Sequence, residues 1–132
     1  MQRVVVETAG WIRTQTGADA VEVTLTYDPA DAYAVGVQIH GDEGVTTWTF
    51  ARDLLADGLR SMVPLGEGQV QVQATSVLTE ISRTDDARGA TVLRLPWWNT
   101  REFLRLSHTL VPRGEESCDV DSWLEALTGR ER

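Results

Sequence analysis

Apolar and polar residues alternate strictly from Val21 to Tyr27: Val21, Val23, Leu25 and Tyr27 fall on one side, Glu22, Thr24 and Thr26 on the other. A period of two marks a strand with one buried face. Asp28 and Pro29 end it, because proline has no backbone N–H for a neighbouring strand and an aspartate can bond the backbone two residues on. Tyr33, Val35, Val37 and Ile39 then resume the alternation, so the chain turns a corner between two strands. GDEG at 41–44 reads as a hairpin turn, with Val45 to Phe50 as the strand after it. Trp48 and Phe50 share a face of that strand, which runs straight into a helix. Leu54, Leu55 and Leu59 recur there at helical spacing, Asp53 sits near the positive end, and Gly58 is the expected stop.

Upstream, Val4 to Val6 and the stretch around Trp11 and Ile12 predict an N-terminal strand in two pieces divided at Gly10. Downstream, Pro64, Gly66 and Gly68 break the chain, and Val70, Val72 and Ala74 alternate with glutamines. A further hairpin is expected from Val77 to Ser82 and Ala90 to Leu95, around TDDARG. Pro96 closes that strand. The second helix is expected to begin near Asn99 as N-cap, with Glu102 reaching back to it and Trp98 stapled onto Phe103. Phe103, Leu106 and Leu110 form its core stripe, and Pro112 and Gly114 end it. Asp119 opens a short third helix with Val120, Trp123, Leu124 and Leu127 facing one way. Runs of strands punctuated by helices predict an α+β fold whose antiparallel sheets form an open barrel, with two main helices and a short C-terminal one.

The chain has 132 residues, 42% of them hydrophobic, enough for one core. No apolar run approaches the roughly 20 residues that span a bilayer, and MQRVVVETAG is too short and polar for a secretory signal, so a cytoplasmic location is expected. Cys118 is the sole cysteine, which excludes an internal disulfide. All twelve basic residues are arginine, a composition that fits a GC-rich genome.

Chemistry finds little support. His40 and His108 are the only imidazoles, and neither a nucleophile elbow, a reactive cysteine context nor a zinc-protease helix accompanies them. The acid pairs Asp42–Glu43, Asp85–Asp86, Glu115–Glu116 and Asp119/Asp121 lack calcium-loop spacing and read as solvated turns. No catalytic, metal or cofactor residue is assigned, and the expectation is a protein that is not an enzyme. Twenty acids against twelve arginines give a formal charge of −8, the wrong field for a phosphate backbone. A concave face of Trp and Arg that stacks single-stranded bases is the alternative.

The segments YDPADAYAV (27–35), TWTFARDLLADGL (47–59), GEGQVQV from Gly66, FLRLSHTLVPRGEE from Phe103 and DVDSWLEAL from Asp119 occur in one colinear order. In this they resemble the SsgA-like proteins, actinobacterial regulators of sporulation-specific cell division. The resemblance implies one SsgA-like domain over 1–132 with a whirly-like fold of two curved sheets, assembled as a homotrimer. It implies an adaptor at division septa that recruits FtsZ or another SsgA-like protein by binding alone. Tyr27, Asp28, Asp31, Tyr33, Trp48, Phe50, Arg52 and Leu55 match the family signature, and most read as structural: a corner, a core face and a helix start.

Trp97 and Trp98 depart from the smaller residues typical of the family. Adjacent rings cannot both point into one core, so one of the pair is expected to meet a partner. On this reading Trp97→Ala weakens a partner contact more than it weakens folding. The competing reading has Trp98 stapling the helix and Trp97 packed under a loop.

Overall fold

The computed structural model describes residues 2–14, 16–66, 68–85 and 89–116. The alternation from Val21 lies inside β2 (Ala18–Tyr27), which pairs antiparallel with β1 (Val4–Arg13) from Val4 opposite Tyr27 to Arg13 opposite Ala18. A single 3-10 turn, Pro29–Asp31, makes the corner into β3 (Ala34–Gly41), and β4 (Gly44–Ala51) pairs back along it. The chain passes directly into α1 (Arg52–Gly58). Then β5 (Val70–Thr75), β6 (Leu78–Asp85) and β7 (Gly89–Pro96) form a meander, and α2 (Trp97–Leu110) follows.

All seven strands join one curled antiparallel sheet, in the order β4-β3-β2-β1-β7-β6-β5. The seam between its two halves is short: β1 and β7 pair only Trp11 with Arg94 and Ile12 with Leu93. α1 packs against β5, and α2 against β1 and β7. The core lies between the sheet and these helices, with Val23, Leu25, Val35, Val37, Trp48, Val72, Ile81, Leu93 and Leu95 facing Leu55, Phe103 and Leu104.

Several expectations change. β1 is continuous through Gly10, because that glycine is a point of close approach and not a break: a Cβ there would lie 2.9 Å from both Leu95 and Val23 side chains. α2 begins two residues before Asn99, directly from β7 and with no side-chain cap. Asn99 lies within the helix and donates to Thr8 Oγ1 at 2.8 Å, while Glu102 pairs with Arg105, so no capping box forms. Starting at Trp97 rotates the buried face to Thr100, Phe103, Leu104 and Ser107, with Leu106 and Leu110 half-buried at its edge. β3 starts at Ala34, leaving Tyr33 outside the strand and exposed. The helix expected from Asp119, together with Cys118 and the hairpin tip at 86–88, lies outside the described residues.

Gly58 does lie at the end of α1, for a different reason from the expected one. It is buried against β5, where an added Cβ would run into Val72 Cγ1 and lie 2.6 Å from Val72 Cβ. Gly58→Ala is therefore expected to destabilise by about 1–3 kcal/mol, because overpacking outweighs the gain of up to about 1 kcal/mol in helix propensity. Urea unfolding checks the sign.

Candidate functional site

Three of the signature residues, Tyr27, Tyr33 and Arg52, gather around the end of α2 and the segment after it. Tyr27 is buried at the end of β2, donates its hydroxyl to Ala32 O at 2.9 Å, and carries the Arg52 guanidinium 4.7 Å above its ring. Asp28 caps the 3-10 turn by accepting from Ala30 N at 2.9 Å, and Asp31 lies exposed on that turn. Trp48 and Leu55 are buried in the core and Phe50 packs half-buried against it.

Arg52, expected only to start a helix, is wholly buried. It donates to Ser107 O at 3.1 Å and to Glu116 Oε2 at 2.7 Å. A buried guanidinium is tolerated only with a charged partner and further hydrogen bonds, and Glu116 with the helix-end carbonyl supplies both. Tyr33 donates its hydroxyl to the Glu116 carbonyl at 2.9 Å. Arg113 forks onto Asp57, at 2.8 and 3.1 Å, and lies 3.2 Å from Asp53. The segment from Pro112 to Glu116 is thus clasped to α1 and to the corner after β2. Sequence reasoning missed Glu116, grouped with Glu115 as a solvated acid. The usable signal was a single arginine inside the apolar string FARDLL, which needs a carboxylate once buried.

The clasp sets an acid sensitivity. The hydrogen bond from Arg52, with backbone amides helping, holds the Glu116 carboxyl down to about 2 from an ordinary 4.5. Burial, reinforced by Arg52 and Arg113, lowers the pKa of half-buried His108 below 6.5. A lowered folded-state pKa means that the unfolded chain takes up protons first, so stability falls as pH falls. We expect thermal stability to decline from about pH 6.5 through His108, and more steeply between pH 4.5 and 2 through Glu116. Glu116→Gln should flatten the lower limb in unfolding scans across that range.

A second feature lies where three connections meet. Trp97 N donates to Val77 O at 2.8 Å, the Trp97 indole N–H donates to Leu59 O at 3.1 Å, and Ala74 N donates to Ser61 O at 2.7 Å. These bonds gather the loop after α1, the β5–β6 turn and the start of α2. Met62, Val63, Val77 and Trp98 stand out of that junction, 84%, 63%, 67% and 66% exposed. Ser76, at φ 49°, forms the left-handed corner next to Val77. Trp97 is half-buried, and the Trp98 ring meets it edge-on at 5.3 Å without stapling Phe103. The Arg101 guanidinium lies 5.8 and 5.4 Å from the two rings.

His40 Nε2 is 2.9 Å from Thr24 Oγ1 on the outer sheet face, near Glu7 and Glu22. Among the described residues no three His, Cys, Asp or Glu side chains come together to hold a metal. No helix among them is long and apolar enough to cross a membrane.

A family model described as Streptomyces sporulation and cell division protein, SsgA, matches residues 21–116. The chain belongs to the SsgA family. It is 37% identical over 114 residues to the sporulation-specific cell division protein SsgB of Frankia casuarinae, covering 81% of this chain and 78% of that one. To SsgB of Streptomyces coelicolor it is 37% identical over 108 residues, 76% and 75% of the two chains. The SsgA-like sporulation-specific cell division protein of Thermobifida fusca superposes with a TM-score of 0.86 at 25% identity, over 97% of this chain and 96% of that one. A solved structure from work on SsgB mutations that correlate with longitudinal cell division in Streptomyces coelicolor gives 0.78 at 33%, over 87% and 93%. The SsgA family match contains the whole clasp, from Tyr27 to Glu116, and the tryptophan pair.

Proposed function

We propose that this chain is a non-enzymatic adaptor of sporulation-specific cell division, acting in the cytoplasm and holding FtsZ or another SsgA family protein at division septa. The observation that carries this reading is the apolar patch of Met62, Val63, Val77 and Trp98, drawn from three separate connections onto one end of the fold. Exposed apolar side chains brought to one junction are a usual mark of a protein interface, and tryptophan and arginine are its commonest anchors. The names of the relatives supply the process. The patch puts the outward weight on Trp98, while Trp97, bonded to Leu59, serves the packing. A homotrimer is part of the proposal and is checked by light scattering, where a stable monomer at micromolar concentration rejects it. A pull-down with purified FtsZ and with sister family proteins tests the adaptor role. Capture of at least one is expected, and capture of none overturns it.

The placement of Arg101 beside the edge-on rings of Trp97 and Trp98 favours one second reading, binding of single-stranded nucleic acid. The formal charge of −8 opposes it. A shift of oligonucleotides at low salt that vanishes as salt rises is its signature.

A further inference from the structure

The two edges of the sheet differ. Along β5, Leu65 exchanges backbone hydrogen bonds of 2.9 and 3.0 Å with Val72, and Ser61 O accepts from Ala74 N at 2.7 Å, so the loop after α1 covers that edge. β4 ends the sheet on the other side, and among the described residues nothing pairs with its far edge. The bond from Arg52 N to Tyr33 O, 2.8 Å, sets the phase of the β3–β4 ladder. Gly44, Thr46, Trp48 and Phe50 therefore turn their N–H and C=O groups to β3, while Val45, Thr47 and Thr49 turn theirs away from the sheet. Exposed edges are usually blunted by charge, proline or a bulge. β4, GVTTWTFA, has no charge and no proline and pairs with β3 over eight consecutive residues without a bulge. Its valine, threonines and aromatics favour the extended state.

We propose that β4 is a docking edge that takes an extended segment of a partner protein as a further antiparallel strand, one with apolar side chains at alternate positions and a basic residue at its C-terminal end. Two features define that occupant. Beside the C-terminal half of β4 the edge opens into a cleft of about 540 Å³ with Phe50, Leu54 and Val70 as its apolar wall, so alternate side chains of an added strand turn inward onto apolar surface. At the other end, the turn before β4 carries the exposed acids Asp42 and Glu43. An antiparallel strand finishes there, and the local field, on a chain of formal charge −8, favours a base. A second copy of β4 fits less well. Full overlap of two antiparallel β4 strands places Asp42 and Glu43 of each copy beside Asp53 of the other, and Arg113, which pairs with Asp53, is already shared with Asp57. The edge has no residue in common with the junction at Trp98, and it recognises main-chain hydrogen-bonding groups where that junction offers apolar side chains.

The test pans a library of random octapeptides against the full chain and follows the chain's amides by NMR with each selected peptide. Enriched peptides should alternate apolar residues, lack proline and end on arginine or lysine. Their binding should slow hydrogen exchange at the Val45, Thr47 and Thr49 amides. Thr47→Pro removes an N–H that β3 does not use, so affinity should fall about five- to tenfold while Tm holds. N-methylation of alternate peptide amides should abolish binding without touching the fold, and Val77→Asp should leave it unchanged. A library without binders, full affinity for the N-methylated peptides, or loss of affinity in Val77→Asp would overturn the proposal. So would edge amides already protected in the free chain, and protection that appears only as the chain itself is concentrated would assign the edge to a second copy instead.

Discussion

Arg52→Ala is expected to remove about 3–5 kcal/mol of folding stability, because it strands a buried carboxylate without its counter-charge. Glu116, with 5% of its side chain exposed, accepts its hydrogen bond from a guanidinium that is wholly buried. Removing Arg52 also opens a void beneath Tyr27 and frees the Ser107 carbonyl. A domain of ordinary stability has about 5–15 kcal/mol in total, so this one change consumes a large share. For a chain of this size each kcal/mol moves Tm by roughly 4 °C, which puts the drop on the order of 10–20 °C. The physics also says what does not follow. Replacing both partners by apolar residues, Arg52→Met with Glu116→Leu, should recover much of the loss, since a buried ion pair stabilises little beyond a well-packed apolar pair. Thermal unfolding of the single and double variants decides; an Arg52→Ala chain with unchanged Tm would show that water reaches the pair.

Trp98→Ala is expected to do the reverse, weakening partner binding by about 2–4 kcal/mol, roughly thirty-fold or more in Kd, with little change in Tm. Its ring is 66% exposed and touches the fold through Trp97 and Arg101, so truncation removes little core contact. An indole that becomes desolvated in an interface brings large area at low entropic cost, which is why so few residues carry most of a binding energy. Trp97→Ala provides the contrast. That indole packs on the core cluster and donates to Leu59, so its loss should appear in Tm. The comparison is read by titration calorimetry beside thermal scans. Equal losses of stability and affinity in Trp98→Ala would assign the ring to packing.

Much of this architecture was legible in the residue pattern. Strict alternation located β2 and β3, the GDEG turn located β4, and the corner at Asp28 and Pro29 is where the 3-10 turn forms, because local backbone chemistry decides each. The antiparallel curled sheet with two helices, and the family itself, also agree with the expectation. Tertiary contacts account for the misses. Gly10 and Gly58 resemble breakers in one dimension, yet each leaves room for a side chain on a distant strand, Leu95 in one case and Val72 in the other. Asn99 and Glu102 had the spacing of a cap, but Thr8 and Arg105 offered better partners once the helix began at Trp97.

The candidate site was legible only in half. Two neighbouring tryptophans announced that one ring must face outward, but nothing local placed Met62, Val63 and Val77 beside them. Those come together through Trp97 N–H on Val77 O and Ala74 N–H on Ser61 O, bonds between segments far apart in sequence. Arg52 and Glu116 are 64 positions apart, which no periodicity reaches.

The most direct measurement is the affinity of Val77→Asp for whichever of FtsZ or a sister family protein the wild-type chain captures. Val77 is 67% exposed in the turn between β5 and β6, so a carboxylate there costs the fold little. In a closed apolar interface the same carboxylate is buried without a partner, at a cost of several kcal/mol. Binding should be abolished while the thermal transition stays at its wild-type position. Wild-type affinity in a folded Val77→Asp chain would contradict the assignment of this surface as the contact through which the protein works.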